Sequence, residues 1–85
     1  MGHADFRAGG RVFASLGPKG DWAMVKLPPD EQEVLVAEAP EVYERFGGAW
    51  GRSGCTRIHL RSARKGEVRR LLALANREAA GRRRR

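Results

Sequence analysis

At 85 residues, with 41% apolar and 32% charged side chains, the chain has room for one small domain with one core, which excludes a disordered or multidomain protein. No apolar run approaches the roughly 20 residues of a membrane-spanning helix, and the N-terminus lacks the apolar stretch of a secretory signal. The net charge of +7, four units of which come from residues 82–85, favours an acidic partner without defining the fold.

The first half of the chain predicts three strands. Residues 4–8 are too short to assign alone, but Gly9-Gly10 is a hairpin dipeptide with strands on either side. Residues 11–16 alternate, with Val12, Ala14 and Leu16 on one side and Arg11, Phe13 and Ser15 on the other. Residues 17–21 form a turn. In residues 22–27, Ala23, Val25 and Leu27 face the core, and Trp22, Met24 and Lys26 lie opposite.

Residues 30–38 predict a helix. Asp30, Glu31 and Glu33 lie in its opening turn, where the positive end of the helix dipole stabilises carboxylates. Pro40 ends it, and residues 41–46 predict another turn or two of helix before Gly47-Gly48. A short strand at 49–51, a turn at 52–54 and a strand at 55–60 follow. The last element is a helix over 65–79, with a buried stripe of Val68, Leu71, Leu72 and Ala75.

Assembled in order, these elements predict a two-layer α+β fold, in which an antiparallel sheet of about five strands carries helices on one face. We expect one domain over residues 1–80 and a flexible basic tail over residues 81–85. The uncovered face would present nine residues: Arg7, Arg11, Phe13, Ser15, Trp22, Met24, Lys26, Arg57 and His59.

This mixture of cations and aromatic rings allows three interpretations. Cations neutralise phosphates and flat rings stack on bases, as in nucleic-acid surfaces. The same residue types are enriched at the centres of protein interfaces. Alternatively, Phe13, Trp22 and Met24 form a second small core. The basic tail and the arginines of the last helix, Arg69, Arg70 and Arg77, can likewise be merely solvated.

Several short motifs in order resemble the MmcQ/YjbR family of small bacterial proteins, which are usually described as DNA-binding. They are Phe6-Arg7, the segment from Gly10 to Leu16, Val25-Lys26-Leu27, Glu31-Gln32, Trp50-Gly51, Gly54, Thr56 and the strand ending at Leu60. The resemblance spans residues 5–79 and implies a secretion-chaperone-like fold with an antiparallel sheet covered on one side.

The chain departs from that family in two ways. Members usually carry a helix before the first strand, whereas this sequence begins almost at the strand, so a late start or a trimmed domain is expected, with bare apolar surface that favours dimerisation or marginal stability. Cys55 stands where many relatives have a tryptophan, which would remove a ring from a binding face.

Catalytic and metal sites are poorly supported by the sequence. Cys55 and His59 lie four residues apart on one strand, roughly 13 Å at about 3.3 Å per residue, too far for a nucleophile and its base. One cysteine and two histidines do not supply a tetrahedral zinc site, and the glycine pairs match no phosphate-binding or dinucleotide-binding fingerprint. The single cysteine also precludes an internal disulfide, which favours a cytoplasmic location.

The sequence therefore predicts a non-enzymatic DNA-binding module with no cofactor, metal, membrane partner or small-molecule substrate. Its predicted contact residues are Arg7, Arg11, Phe13, Trp22, Lys26, Arg57, His59, Arg82, Arg83, Arg84 and Arg85. The alternative is a protein-interaction or chaperone-like module, with a protein partner or a homodimer instead of nucleic acid.

Overall fold

The computed structural model describes the backbone of residues 5–82 and the side chains of residues 5–81. Within this range the chain forms five strands and three helices. The strands are β1 (Asp5–Ala8), β2 (Arg11–Leu16), β3 (Trp22–Lys26), β4 (Tyr43–Arg45) and β5 (Cys55–His59). The helices are α1 (Pro29–Glu38), α2 (Gly48–Arg52) and α3 (Lys65–Arg82).

All the strands pair antiparallel in one sheet, in the order β1-β2-β3-β5-β4. Helices α1 and α3 contribute to a core against one face of this sheet, which confirms the predicted α+β class. The buried cluster consists of Phe13, Ala14, Val25, Leu27, Leu35, Val42, Tyr43, Ile58, Leu71, Ala75 and Ala79. The predicted stripe of α3 is also confirmed, because Leu71 and Ala75 are buried and Val68 and Leu72 pack against the cluster.

Helix α1 is joined to the sheet by a buried amide. Gln32, only 3% exposed, donates through Nε2 to the carbonyl oxygen of Cys55 at 3.0 Å and to Thr56 Oγ1 at 3.1 Å. Thr56 Oγ1 in turn donates to the carbonyl oxygen of Gly54 at 3.0 Å. Every polar atom in this chain of bonds therefore has a partner, as burial requires.

Helix α3 is joined to α1 at the surface. Arg70 donates through Nη2 to Glu67 at 2.8 Å and to Glu31 at 3.3 Å, so it links two helices instead of being merely solvated. The helix continues to Arg82, three residues beyond its predicted end. Arg83, Arg84 and Arg85, and the side chain of Arg82, lie outside the described part of the chain.

Two predictions between α1 and β5 were wrong. Instead of a helix over 41–46, Tyr43–Arg45 is the edge strand β4, because pairing with β5 buries Tyr43 to 4% exposure. Instead of a strand over 49–51, Gly48–Arg52 is the short helix α2. This turn needs glycine, since a Cβ on Gly51 would lie 1.8 Å from the carbonyl oxygen of Phe46.

The predicted alternation along β2 was wrong at its centre. Phe6 pairs with Ala14 and Arg7 with Val12, so Phe13 is an extra residue in a β-bulge. Because a bulge interrupts the period of two, Phe13 enters the core at 8% exposure instead of facing solvent. Arg11 pairs with Ala8, which packs on the core, and borders a small cavity beside Ala75 and Ala79 of α3. Arg11 is therefore also displaced from the predicted face.

Candidate functional site

The face of the sheet opposite α1 and α3, called the open face here, keeps most of the predicted residues of β3 and β5. Trp22 pairs with His59, Met24 with Arg57 and Lys26 with Cys55. Cross-strand partners project to the same side, and the neighbouring pairs Ala23–Ile58 and Val25–Thr56 fill the core side. The predicted open-face positions of Trp22, Met24, Arg57 and His59 are therefore confirmed. Lys26 shares this side through its pairing with Cys55 and also borders the small cavity beside α3.

An apolar groove of about 420 Å³ lies on the open face. Its volume falls within the range of about 300 to 1,000 Å³ that ligand sites occupy. Eight residues line it: Ser15, Leu16, Pro18, Trp22, Met24, Phe46, Trp50 and Cys55. Both tryptophans of the chain belong to this open-face groove, and Trp50 is 71% exposed.

The walls of the open-face groove follow from two local features. Trp22 lies against Gly17, where an added Cβ would come 2.6 Å from the indole, so glycine makes room for the ring. The loop after β4 carries Phe46, whose ring meets Trp22 edge-on with centroids 6.2 Å apart. Trp50 follows on α2, and Ser53 donates to its carbonyl oxygen at 2.9 Å, which closes the turn. These three large aromatic rings therefore line the groove and lie outside the core.

Arg57 lies between the open-face groove and the acidic residue Glu44. Its guanidinium carbon lies 4.7 Å from the centre of the Trp22 ring and 4.8 Å from that of Phe46. Its Nη1 atom donates to Glu44 Oε1 at 3.4 Å, while its buried Nε atom has no hydrogen-bond partner among the described residues. Arg57 is thus held by aromatic faces more than by hydrogen bonds.

Glu44, on β4, also contacts the predicted residue His59, whose Nε2 atom lies 3.0 Å from Glu44 Oε1. The hydrogen bond to His59, assisted by the nearby charge of Arg57, lowers the pKa of Glu44. Of the predicted cations on this face, Arg57 therefore already has an acidic partner. Arg7 projects to the open side of β1 and β2, where it pairs with Val12.

Sequence reasoning missed Phe46, Trp50 and Glu44 as members of this site. The sequence predicts a helix over 41–46, which includes Phe46, and a strand over 49–51, which includes Trp50. The available signal was the glycine content of residues 47–54, which is typical of turns and argues against a regular strand there. Glu44 carried no such signal, because its role depends on β4 pairing with β5.

Two further classes of site are absent from the part of the chain that the structure describes. Across residues 5–82, histidine, cysteine, aspartate and glutamate side chains form no group of three or more that could hold a metal ion. The same range contains no helix with the length and apolarity to span a bilayer.

The fold and the open-face groove together define a small α+β protein with a candidate binding site on an uncovered sheet face. Comparison with protein-family models, with curated proteins and with solved structures finds no match for this chain. The resemblance to the MmcQ/YjbR family therefore stays a prediction.

Proposed function

We propose that this protein is a non-enzymatic protein-interaction module, and that the open-face groove receives a large apolar side chain from an acidic protein segment. The observation that carries this proposal is the grouping of Trp22, Met24, Phe46 and Trp50 around one uncovered groove. Burying a leucine or phenylalanine side chain in such a groove contributes about 1.5 to 3 kcal/mol. Tryptophan and other large apolar residues recur at the centres of protein interfaces.

Charge around the groove supports an acidic partner. Lys19 follows the groove residue Pro18, Lys26 pairs across the strands with Cys55, and Arg52 lies two residues after Trp50. None of these three cations forms an ion pair with another residue of the described range. A second copy of the chain is a poorer occupant, because each copy carries a net charge of +7 and like charges repel.

The test is binding of short synthetic peptides, followed by the intrinsic fluorescence of Trp22 and Trp50. An acidic peptide with one central leucine should bind. Two control peptides, one with serine in place of the leucine and one with lysine in place of every acidic residue, should bind at least about tenfold more weakly. Trp50→Ala should weaken binding by about tenfold or more. Val34→Ala is the control, because Val34 is 52% exposed on α1, on the other side of the sheet. Equal binding of the leucine and serine peptides would overturn the proposal.

Nucleic acid is the second candidate, favoured by the exposed ring of Trp50 and by the cations Lys26 and Arg7 on the open side of the sheet. A base can stack on such a ring while the cations neutralise phosphates. The placement of Arg11 beside α3 and the contact of Arg57 with Glu44 weigh against it. If all four arginines of residues 82–85 displace counterions, their removal should flatten the slope of log affinity against log salt by roughly 3 to 4 units on duplex DNA. No binding of oligonucleotides at about 50 mM salt would exclude this candidate.

A further inference from the structure

We infer that Arg57 binds a carboxylate of the ligand whose apolar side chain occupies the open-face groove. This inference rests on the proposed function and narrows it. The ligand would carry a carboxylate next to a large apolar group, as in a C-terminal residue or an aspartate or glutamate beside an apolar neighbour.

The first support is the unused donor capacity of Arg57. A guanidinium has five N–H donors. Within the described residues, the hydrogen bond that Arg57 makes to a side chain is from Nη1 to Glu44, at 3.4 Å. That distance is long for a charge-assisted bond, which is typically about 2.7 to 2.9 Å. The Nε atom is buried and closed to a ligand, so a ligand would reach Arg57 through Nη2, for which the described residues provide no acceptor. Arg57 therefore retains donors for a second carboxylate.

The second support is the placement of those donors. Trp22 and Phe46 lie against the guanidinium and also line the open-face groove. Because both rings lie against the guanidinium, a ligand must approach it from a side that they leave open. A carboxylate bonded there would lie beside two groove walls, within reach of an apolar group between them. The surrounding rings also lower the local dielectric, which strengthens a charge-assisted bond.

The third support is that Glu44 can be exchanged. Its side chain is 52% exposed, and its Oε1 atom accepts from Arg57 while also contacting His59 at 3.0 Å. A ligand carboxylate that replaced Glu44 on Arg57 would leave the shorter contact between Glu44 and His59 in place. Glu44 is therefore a competitor for Arg57 in the unliganded protein.

The experiment compares N-acetylphenylalanine with its uncharged amide, titrated against the full chain and followed by tryptophan fluorescence. The acid should bind about tenfold more tightly than the amide. Arg57→Met should bring the ratio of acid affinity to amide affinity to about one, and Arg57→Lys should retain part of the preference. Glu44→Gln should raise the affinity for the acid several-fold, with no change for the amide. Glu44→Gln keeps Arg57 and both rings, so this variant tests the inference even if Arg57→Met fails to fold.

The outcomes separate this inference from the proposed function. Equal binding of acid and amide, with the acidic leucine peptide still binding, overturns the role of Arg57 and leaves the protein-interaction proposal standing. An acid preference that survives in Arg57→Met also overturns it, because another cation such as Lys26 then holds the carboxylate. Failure of the leucine peptide to bind overturns the proposed function itself.

Discussion

The guanidinium carbon of Arg57 lies 4.7 Å from the centre of the Trp22 ring, and Phe46 lies at a similar distance on the same group. A partly desolvated cation over aromatic rings contributes about 1 to 2 kcal/mol. Here the contact joins β3, β5 and the loop after β4. It therefore holds one wall of the open-face groove while α2 and Trp50 form another part of it.

Replacing Arg57 should cost stability through this contact. Arg57→Met removes the cation while keeping a long side chain, and we expect a loss of about 1 kcal/mol in the free energy of unfolding. Arg57→Lys should lose less, because the ammonium keeps a charge near the rings but lacks the planar group that stacks. Urea denaturation measures both. An unchanged midpoint for Arg57→Met would mean that the stack contributes no net stability.

The β-bulge in β2 predicts opposite behaviour for two phenylalanines that are neighbours across the strands. Phe13 is 8% exposed in the core, whereas Phe6 is 47% exposed, and their ring centroids are 6.4 Å apart. We expect Phe13→Ala to cost about 3 to 5 kcal/mol and Phe6→Ala less than about 1.5 kcal/mol. Thermal or urea unfolding measures the difference. Similar losses for the two variants would show that Phe13 is not a core residue.

Most of the fold could be predicted from the sequence, because alternation and helical periodicity report burial directly. The strands at 22–26 and 55–59 and the stripe of α3 follow from such patterns. A bulge is different, since one extra residue reverses the faces of Arg11 and Phe13 without altering the pattern of letters. Its position is determined by pairing with β1, which local sequence does not encode.

The candidate site was predictable only in part for the same reason. Trp22, Lys26 and Arg57 lie on strands whose faces alternate regularly. Phe46 and Trp50 lie in irregular segments, where their direction depends on Gly51 and on the tertiary contact with Trp22. The pairing of Arg57 with Glu44 depends on the register of β4 against β5. Whether Arg57 has an acidic partner therefore depends on the register of strands that are distant in the sequence.

The buried amide of Gln32 should be sensitive to loss of its donor. Gln32→Leu replaces the amide with an apolar side chain of similar size and removes its bond to the carbonyl oxygen of Cys55, which still accepts from Phe46 N–H, so we expect a loss of about 1 kcal/mol. Thr56→Val removes the second acceptor. Urea denaturation of the single variants and the double variant gives their coupling. Strict additivity of the two losses would contradict the shared network.

The ion pair between Glu67 and Arg70 predicts a specific dependence of stability on pH. The hydrogen bond from Arg70, together with its charge, lowers the pKa of Glu67 below its ordinary value of 4.5. A lowered pKa in the folded state means that the contribution is fully present above about pH 4.5, and that it is lost as the pH falls through the folded value. Because Glu67 is 34% exposed and water screens the pair, the contribution should stay below about 1 kcal/mol.

The measurement is the free energy of unfolding of the unmodified chain and of Glu67→Gln from about pH 7 to about pH 3. The variant should be less stable near neutral pH, and the difference should shrink as Glu67 becomes protonated. The exposed residue Glu33, which forms no ion pair within the described residues, provides the control Glu33→Gln, whose difference should stay small throughout. A difference for Glu67→Gln that grows towards acid pH would mean that Glu67 is stabilised in its protonated form, contrary to its contact with Arg70.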